Sequence, residues 1–138
     1  MPVYFEDLQI GDSAEFGKTI TEADILLFAA VSGDTNPVHL NQEYAEKTLF
    51  KTRIAHGMLT ASLISTVLGA KLPGEGTIFL SQSTHFKAPV KIGDTVTARV
   101  TVTELDTVKK RATLKTACLV AGHVVMDGES LVIPPSRA

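Results

Sequence analysis

Asp34 and His39 stand five positions apart, with Asn36 and Pro37 between them, directly after an apolar run that stops at Gly33. A carboxylate and an imidazole are suited to moving protons, because an apolar pocket can bring both near working pH. Each such acid or base role is typically worth about 10² to 10⁴ in rate. Proline fixes its own φ and biases the residue before it away from the helical region, so the segment cannot continue the preceding helix. Asp34 and His39 can then face one pocket. The plainer reading of Asp34 is a loop carboxylate bonded to its own backbone, and that of His39 a satisfied structural histidine. Asn36 reads more as a loop-shaper than as a catalyst and is kept as a substrate-binding candidate.

Two apolar helices must position this loop. Thr21, with Asp24 three places on, resembles a capping box, and residues 25–31 supply a helix that is apolar nearly all round, which predicts burial. Gly33 is placed to end it in the left-handed conformation. Asn41 can cap a short helix through about residue 50, with Tyr44, Ala45 and Leu49 inward. The second long helix spans 57–71, with Thr60, Ser62, Ser65 and Thr66 as its only polar side chains before the stop at Pro73-Gly74. Gly57 opens it. Its N–H has no partner within the helix, and the positive end of the dipole favours a developing anion there, although the glycine can also serve merely as a helix entrance.

Residues 13–20 read as a first strand, and four β-rich runs follow the second helix at 77–86, 95–105, 112–120 and 124–133. Val96, Ala98, Val100 and Val102 alternate with Thr95, Thr97, Arg99, Thr101 and Thr103, so one sheet face is apolar and the other wet. The class is α+β: an early strand, a central apolar helix and an antiparallel sheet packed on it.

The 138 residues suit one domain, 1–138, burying roughly 68 to 70% of its unfolded surface. A formal charge of −2, with six Phe, two Tyr and no Trp, gives neither a basic footprint nor a stacking platform, which argues against nucleic-acid binding. The single cysteine, Cys118, excludes an intrachain disulfide, offers no metal-ligand cluster and reads as a small core residue; a reducing compartment is compatible. The N-terminus lacks a basic region followed by an apolar one, so no signal peptide is visible, and the apolar stretches are too short or too interrupted to span a bilayer. A soluble, cytoplasmic protein is expected. Ser136-Arg137-Ala138 only loosely matches a peroxisomal address.

The string Val31-Ser32-Gly33-Asp34-Thr35-Asn36-Pro37-Val38-His39, with Ala45 six positions later, resembles the signature of the MaoC-like (R)-specific enoyl-CoA hydratases, also called hydratase 2. Arg53-Ile54-Ala55-His56-Gly57-Met58-Leu59 is similar to the start of that family's long central helix. The likeness covers nearly the whole chain and is nearest to the short stand-alone type linked to polyhydroxyalkanoate synthesis. It implies a hot-dog fold, with the sheet curled around the central helix, and a homodimer or dimer of dimers. It also implies reversible addition of water to trans-2-enoyl-CoA, giving (R)-3-hydroxyacyl-CoA, with no metal and no cofactor beyond the coenzyme A of the substrate.

That chemistry needs a base for water, an acid for the α-carbon and donors for the thioester oxygen. The resemblance implies that Asp34 and His39 activate one water and that the Gly57 amide forms the oxyanion hole. Ser65, about two turns along the helix, is a weaker candidate for orienting water or His39, against a hydroxyl bonded within its own helix. Leu68 is a weak candidate for setting acyl-chain depth. Lys51, Arg53, Lys87 and Lys91 could meet coenzyme A phosphates at a pocket mouth, although any solvated surface offers such charges. His56 reads as structural or as a helix-start residue. Rival readings are a 3-hydroxyacyl-[acyl carrier protein] dehydratase using the same residues, a hot-dog acyl-CoA thioesterase, and a non-catalytic acyl-CoA-binding subunit.

Overall fold

The computed structural model describes residues 1–137; Ala138, and with it the end of the C-terminal tripeptide, lies outside the described residues. A 3-10 turn at Phe5–Asp7 leads into strand β1 (Ser13–Thr19) and helix α1 (Glu22–Ser32). Two short helices follow, α2 (Pro37–Leu40) and α3 (Gln42–Glu46), and then the long helix α4 (Gly57–Ala70). Strands β2 (Ile78–Phe86), β3 (Thr95–Asp106), β4 (Arg111–Val120) and β5 (His123–Ile133) complete the chain. All pairings are antiparallel, in the order β1-β3-β4-β5-β2.

The strand alternation places Val96, Ala98, Val100 and Val102 of β3, with Ala112, Leu114 and Cys118 of β4, on the dry face. Against them lie Ala61, Leu63, Ile64, Val67 and Leu68 of α4. A helix with so few polar side chains is stable in water only when covered, and the sheet covers it. This is the expected helix wrapped by an antiparallel sheet. No helix among the described residues is long and apolar enough to cross a membrane.

Cys118 sits at the centre of this layer, its Sγ 3.7 Å from the Thr60 carbonyl. Burial pushes its thiol up to about 12, so the nucleophilic thiolate is scarce at neutral pH. The folded protein is expected to leave dithiobis-nitrobenzoate unreacted at pH 8 and to release one equivalent of thionitrobenzoate in denaturant; prompt reaction of the native chain would refute this packing.

Helix α1 begins as its sequence predicts. The Thr21 hydroxyl accepts from the Asp24 N–H, and the Asp24 carboxylate accepts from the Thr21 N–H at 2.9 Å. It ends at Gly33, whose φ of 78° places it in the left-handed region. Its burial is not as expected. Only Ile25 and Ala29 are buried, while Leu27 and Val31 are 67% and 88% exposed. The helix touches the core along a single stripe, so an all-round apolar sequence leaves an apolar outer face. Likewise the short helix after Asn41 turns only Ala45 inward; Tyr44 is exposed and Leu49 is 82% exposed, because the helix stops at Glu46.

Candidate active site

The loop after Gly33 is held by its own polar groups. The Asp34 N–H donates to the Ser32 hydroxyl at 3.1 Å, Asp34 Oδ1 accepts from the Asn36 N–H at 3.2 Å, and Asn36 Oδ1 accepts from the Val38 N–H at 3.2 Å. Asn36 thus caps α2, with Pro37 at its first position, where the missing N–H costs nothing. The loop carboxylate bonded to its own backbone is therefore real, but it occupies one oxygen of Asp34; Oδ2 has no hydrogen-bond partner among the described residues. The unforeseen element is α2 itself, a single turn that swings His39 inward while Asp34 stays exposed.

His39 is 8% exposed, and its Nδ1 lies 2.8 Å from the Ile54 carbonyl. A carbonyl only accepts, so Nδ1 carries the proton, and in the neutral ring Nε2 keeps a lone pair. The main chain reinforces this placement: Ile54 N–H donates to the Val38 carbonyl, and Arg53 Nε donates to the His39 carbonyl at 2.7 Å. The other end of the Arg53 guanidinium grips Glu22 at the start of α1 at 2.8 Å. Arg53 is therefore an internal clamp between α1 and α2, not a free cation awaiting a phosphate. Arg53→Lys keeps the charge but loses the fork, and is expected to cost about 1.5 to 3 kcal/mol of stability, read as a shift in the urea midpoint. An unchanged midpoint would rule out the clamp.

His56 joins the pair. Asp34, His39 and His56 each bring a carboxylate oxygen or ring nitrogen within 4.8 Å of the other two. The His56 ring stacks on His39, centroids 3.8 Å apart, and its Nε2 lies 2.8 Å from the Asp34 carbonyl oxygen. No other group of His, Cys, Asp and Glu among the described residues could share a cation. Imidazole lone pairs lie in the ring plane, so two stacked rings direct them side by side instead of toward a common ion, and the set suits hydrogen bonding better than metal binding.

Beside His39 opens a cavity of about 440 Å³, lined by Phe50, Ile54, Met58, Phe86, Val90 and Val125 among others. Its wall is mostly apolar, the form of a site for an acyl chain. Gly57, the first residue of α4, also lines it. The Gly57 N–H finds no acceptor among the described residues, so a residue with an unpaired donor at the positive end of a helix lines the same cavity as His39. Lys87 lines the cavity too.

The MaoC-like domain family matches residues 7–123. The chain belongs to that family. Its relatives include an (R)-specific enoyl-CoA hydratase of Rhodospirillum rubrum, 60% identical across 97% of this chain and 93% of the relative. A 3-hydroxybutyryl-CoA dehydratase of Methylorubrum extorquens is 48% identical across 98% of this chain and 86% of its own length. Among solved structures, the (R)-hydratase from A. caviae involved in PHA biosynthesis superposes with a TM-score of 0.92 at 45% identity, covering 94% of this chain and 99% of that one. The fold is the hot-dog fold of these MaoC-like proteins, and the enzymes it resembles are hydro-lyases.

Within the MaoC-like chain, His39 and Gly57 line one cavity; Asp34 lies behind its wall, with a carboxylate oxygen within 4.8 Å of a His39 ring nitrogen, and two other expected residues stand apart from both. Ser65 lies on the exposed side of α4 and is absent from the cavity lining. Eight residues are slightly more than two turns, and that residual rotation carries Ser65 off the Gly57 side. Leu68 is buried in the core between α4 and the sheet and also does not reach the cavity. Asn36 is exposed, and its side-chain oxygen is spent on the cap. The lining residues Phe50, Met58 and Phe86 went unforeseen; they come from separate elements and share no spacing signal.

Proposed function

We propose that this MaoC-like chain is an (R)-specific enoyl-CoA hydratase, adding water reversibly to a trans-2-enoyl-CoA. One observation carries the reading. His39 commits Nδ1–H to the Ile54 carbonyl and keeps Nε2 unpaired, with a ring nitrogen within 4.8 Å of an Asp34 carboxylate oxygen, at the wall of an apolar cavity that Gly57, with its unpaired N–H, also lines. Two hydrogen bonds of about 2.8 Å meeting at one water span roughly 4.6 Å, so a single water can touch both groups.

The chemistry then follows from placement. Asp34 and His39 hold the water; one of them takes its proton as the oxygen forms its bond to C3 of the enoyl chain. The electron pair of the C2–C3 double bond moves toward the thioester oxygen, where the Gly57 N–H and the α4 dipole stabilise the enolate. The proton returns from the pair to C2, giving the 3-hydroxyacyl thioester. Acid and base act through this one water, and dehydration is the same path reversed. The hand of the product and the coenzyme A carrier are supported by the names of the close relatives. Lys87, at the cavity, suits the negative charge of the carrier.

The same reading includes a homodimer in a cytoplasmic setting. Strand β2 is a sheet edge, and Ile78, Phe79, Leu80 and Phe86 on it are exposed. A long apolar edge is a template for pairing with another chain, and a second copy supplies the matching strand. Sedimentation equilibrium is expected to return twice the chain mass; a monomer at micromolar concentration would remove this part.

The activity is tested by following the conjugated thioester absorbance of crotonyl-CoA and a longer trans-2-enoyl-CoA, with chiral chromatography of the product. Loss of the band with an (R)-3-hydroxyacyl product is expected. Silence on both coenzyme A esters with turnover of the carrier-protein thioester, or free thiol release from a saturated acyl-CoA, would replace the reading.

A further inference from the structure

We propose that His56 is a positioning residue that locks both halves of the acid-base pair into one geometry, an inference that rests on the hydratase reading above. His56 is 1% exposed and caps α4 with its backbone alone, making no side-chain cap bond. Its ring is turned instead toward the loop. Nε2 lies 2.8 Å from the Asp34 carbonyl oxygen, so Nε2 is the donor and Nδ1 keeps the lone pair. That Nδ1 is buried with no hydrogen-bond partner. An unpaired lone pair is tolerated there more readily than an unpaired N–H would be, which agrees with this tautomer.

The ring is also packed between side chains from two helices. It stacks on His39 with planes 26° apart, and Phe28 of α1 packs against the ring at 4.8 Å, tilted by 50°. One side chain therefore fixes the backbone of Asp34 by a hydrogen bond and the plane of the His39 ring by contact, and it ties both to the residue before Gly57. Asp34 needs such an anchor, since its loop is exposed and otherwise bonded only to itself. A helix start alone would not require an imidazole: a residue without a side-chain cap bond fills that position equally well.

Two variants separate the donor from the ring. His56→Phe keeps the stack and loses the N–H; His56→Gln keeps an amide donor at a similar reach and loses the aromatic face. Misplacing a reacting group by about 1 Å can cost 10²-fold, so His56→Phe is expected to lower kcat by about 10² with KM within about twofold. His56→Gln should stay within about tenfold of wild type, because the Asp34 carbonyl keeps its donor. A folded His56→Phe protein within about threefold of the wild-type kcat overturns the proposal, as does equal loss in both variants. If His56→Phe does not fold, His56→Gln decides alone: a folded glutamine variant down by more than about 10² overturns it. Ring ¹⁵N spectra of the wild type test the geometry without turnover. The expected protonated nitrogens are Nε2 of His56 and Nδ1 of His39, and the opposite tautomer at His56 overturns the proposal. Wild-type silence on every enoyl thioester would instead count against the hydratase reading, leaving those spectra to judge His56.

Discussion

Asp34→Asn lowers kcat for crotonyl-CoA hydration by about 10² to 10⁴ and leaves the fold intact. The substitution is nearly isosteric, and the new side-chain oxygen still accepts from the Asn36 N–H, so the loop geometry at 3.2 Å survives. What disappears is the charge on the free oxygen and its capacity to take a proton. Asp34 is exposed, so no buried charge is left unpaired by its loss. His39→Asn makes the complementary test. An asparagine amide sits at the position of Nδ1 and can replace it as donor to the Ile54 carbonyl, but it offers no basic nitrogen where Nε2 stands. A loss of the same order is expected there, and the double variant should lose little more than either single one, since residues acting through one water are not additive. The measurement is the initial rate of absorbance loss, with circular dichroism to establish folding. Retention of more than about a third of wild-type kcat in folded Asp34→Asn would remove Asp34 from the chemistry.

Gly57→Ala is the second large effect, and its cause is steric. A Cβ at position 57 would sit 2.8 Å from Cε1 and 3.0 Å from Cζ of Phe86. Contacts that short force something to move. Phe86 is more than half exposed, so its ring is free to swing and the fold should survive. Both residues line the cavity, however, so a displaced ring and an added methyl crowd the approach to the free N–H. Blocking one oxyanion donor is expected to cost about 10² to 10³ in rate. Adding Phe86→Ala to Gly57→Ala removes the clashing ring and should recover about tenfold or more, a coupling expected only of residues in contact. Full activity in Gly57→Ala would show that the thioester oxygen is held elsewhere; a deep loss that Phe86→Ala does not relieve would leave the ring out of the cause.

The two predictions draw on different levels of the molecule. The sequence alone was enough for α1, with its Thr21 and Asp24 box and its Gly33 end, for α4 between Gly57 and the Pro73-Gly74 stop, and for the alternating strands. These are local properties: capping bonds span three residues, a strand repeats every two, and Gly and Pro restrict the backbone where they stand. Asp34, His39 and Gly57 could be named as candidates because they sit in contiguous strings. Tertiary structure decided the rest. Which atoms of His39 are free depends on the Ile54 carbonyl, fifteen residues away. That His56 supports the pair, that Arg53 clamps instead of waiting for a phosphate, and that Phe86 lies against Gly57 all follow from elements meeting across the fold. Ser65 and Leu68 were misplaced because helical spacing gives a face but not what that face meets. The apolar outer side of α1 was misread for the same reason: hydrophobicity records that a surface is to be covered, and only packing decides whether this chain or another one covers it.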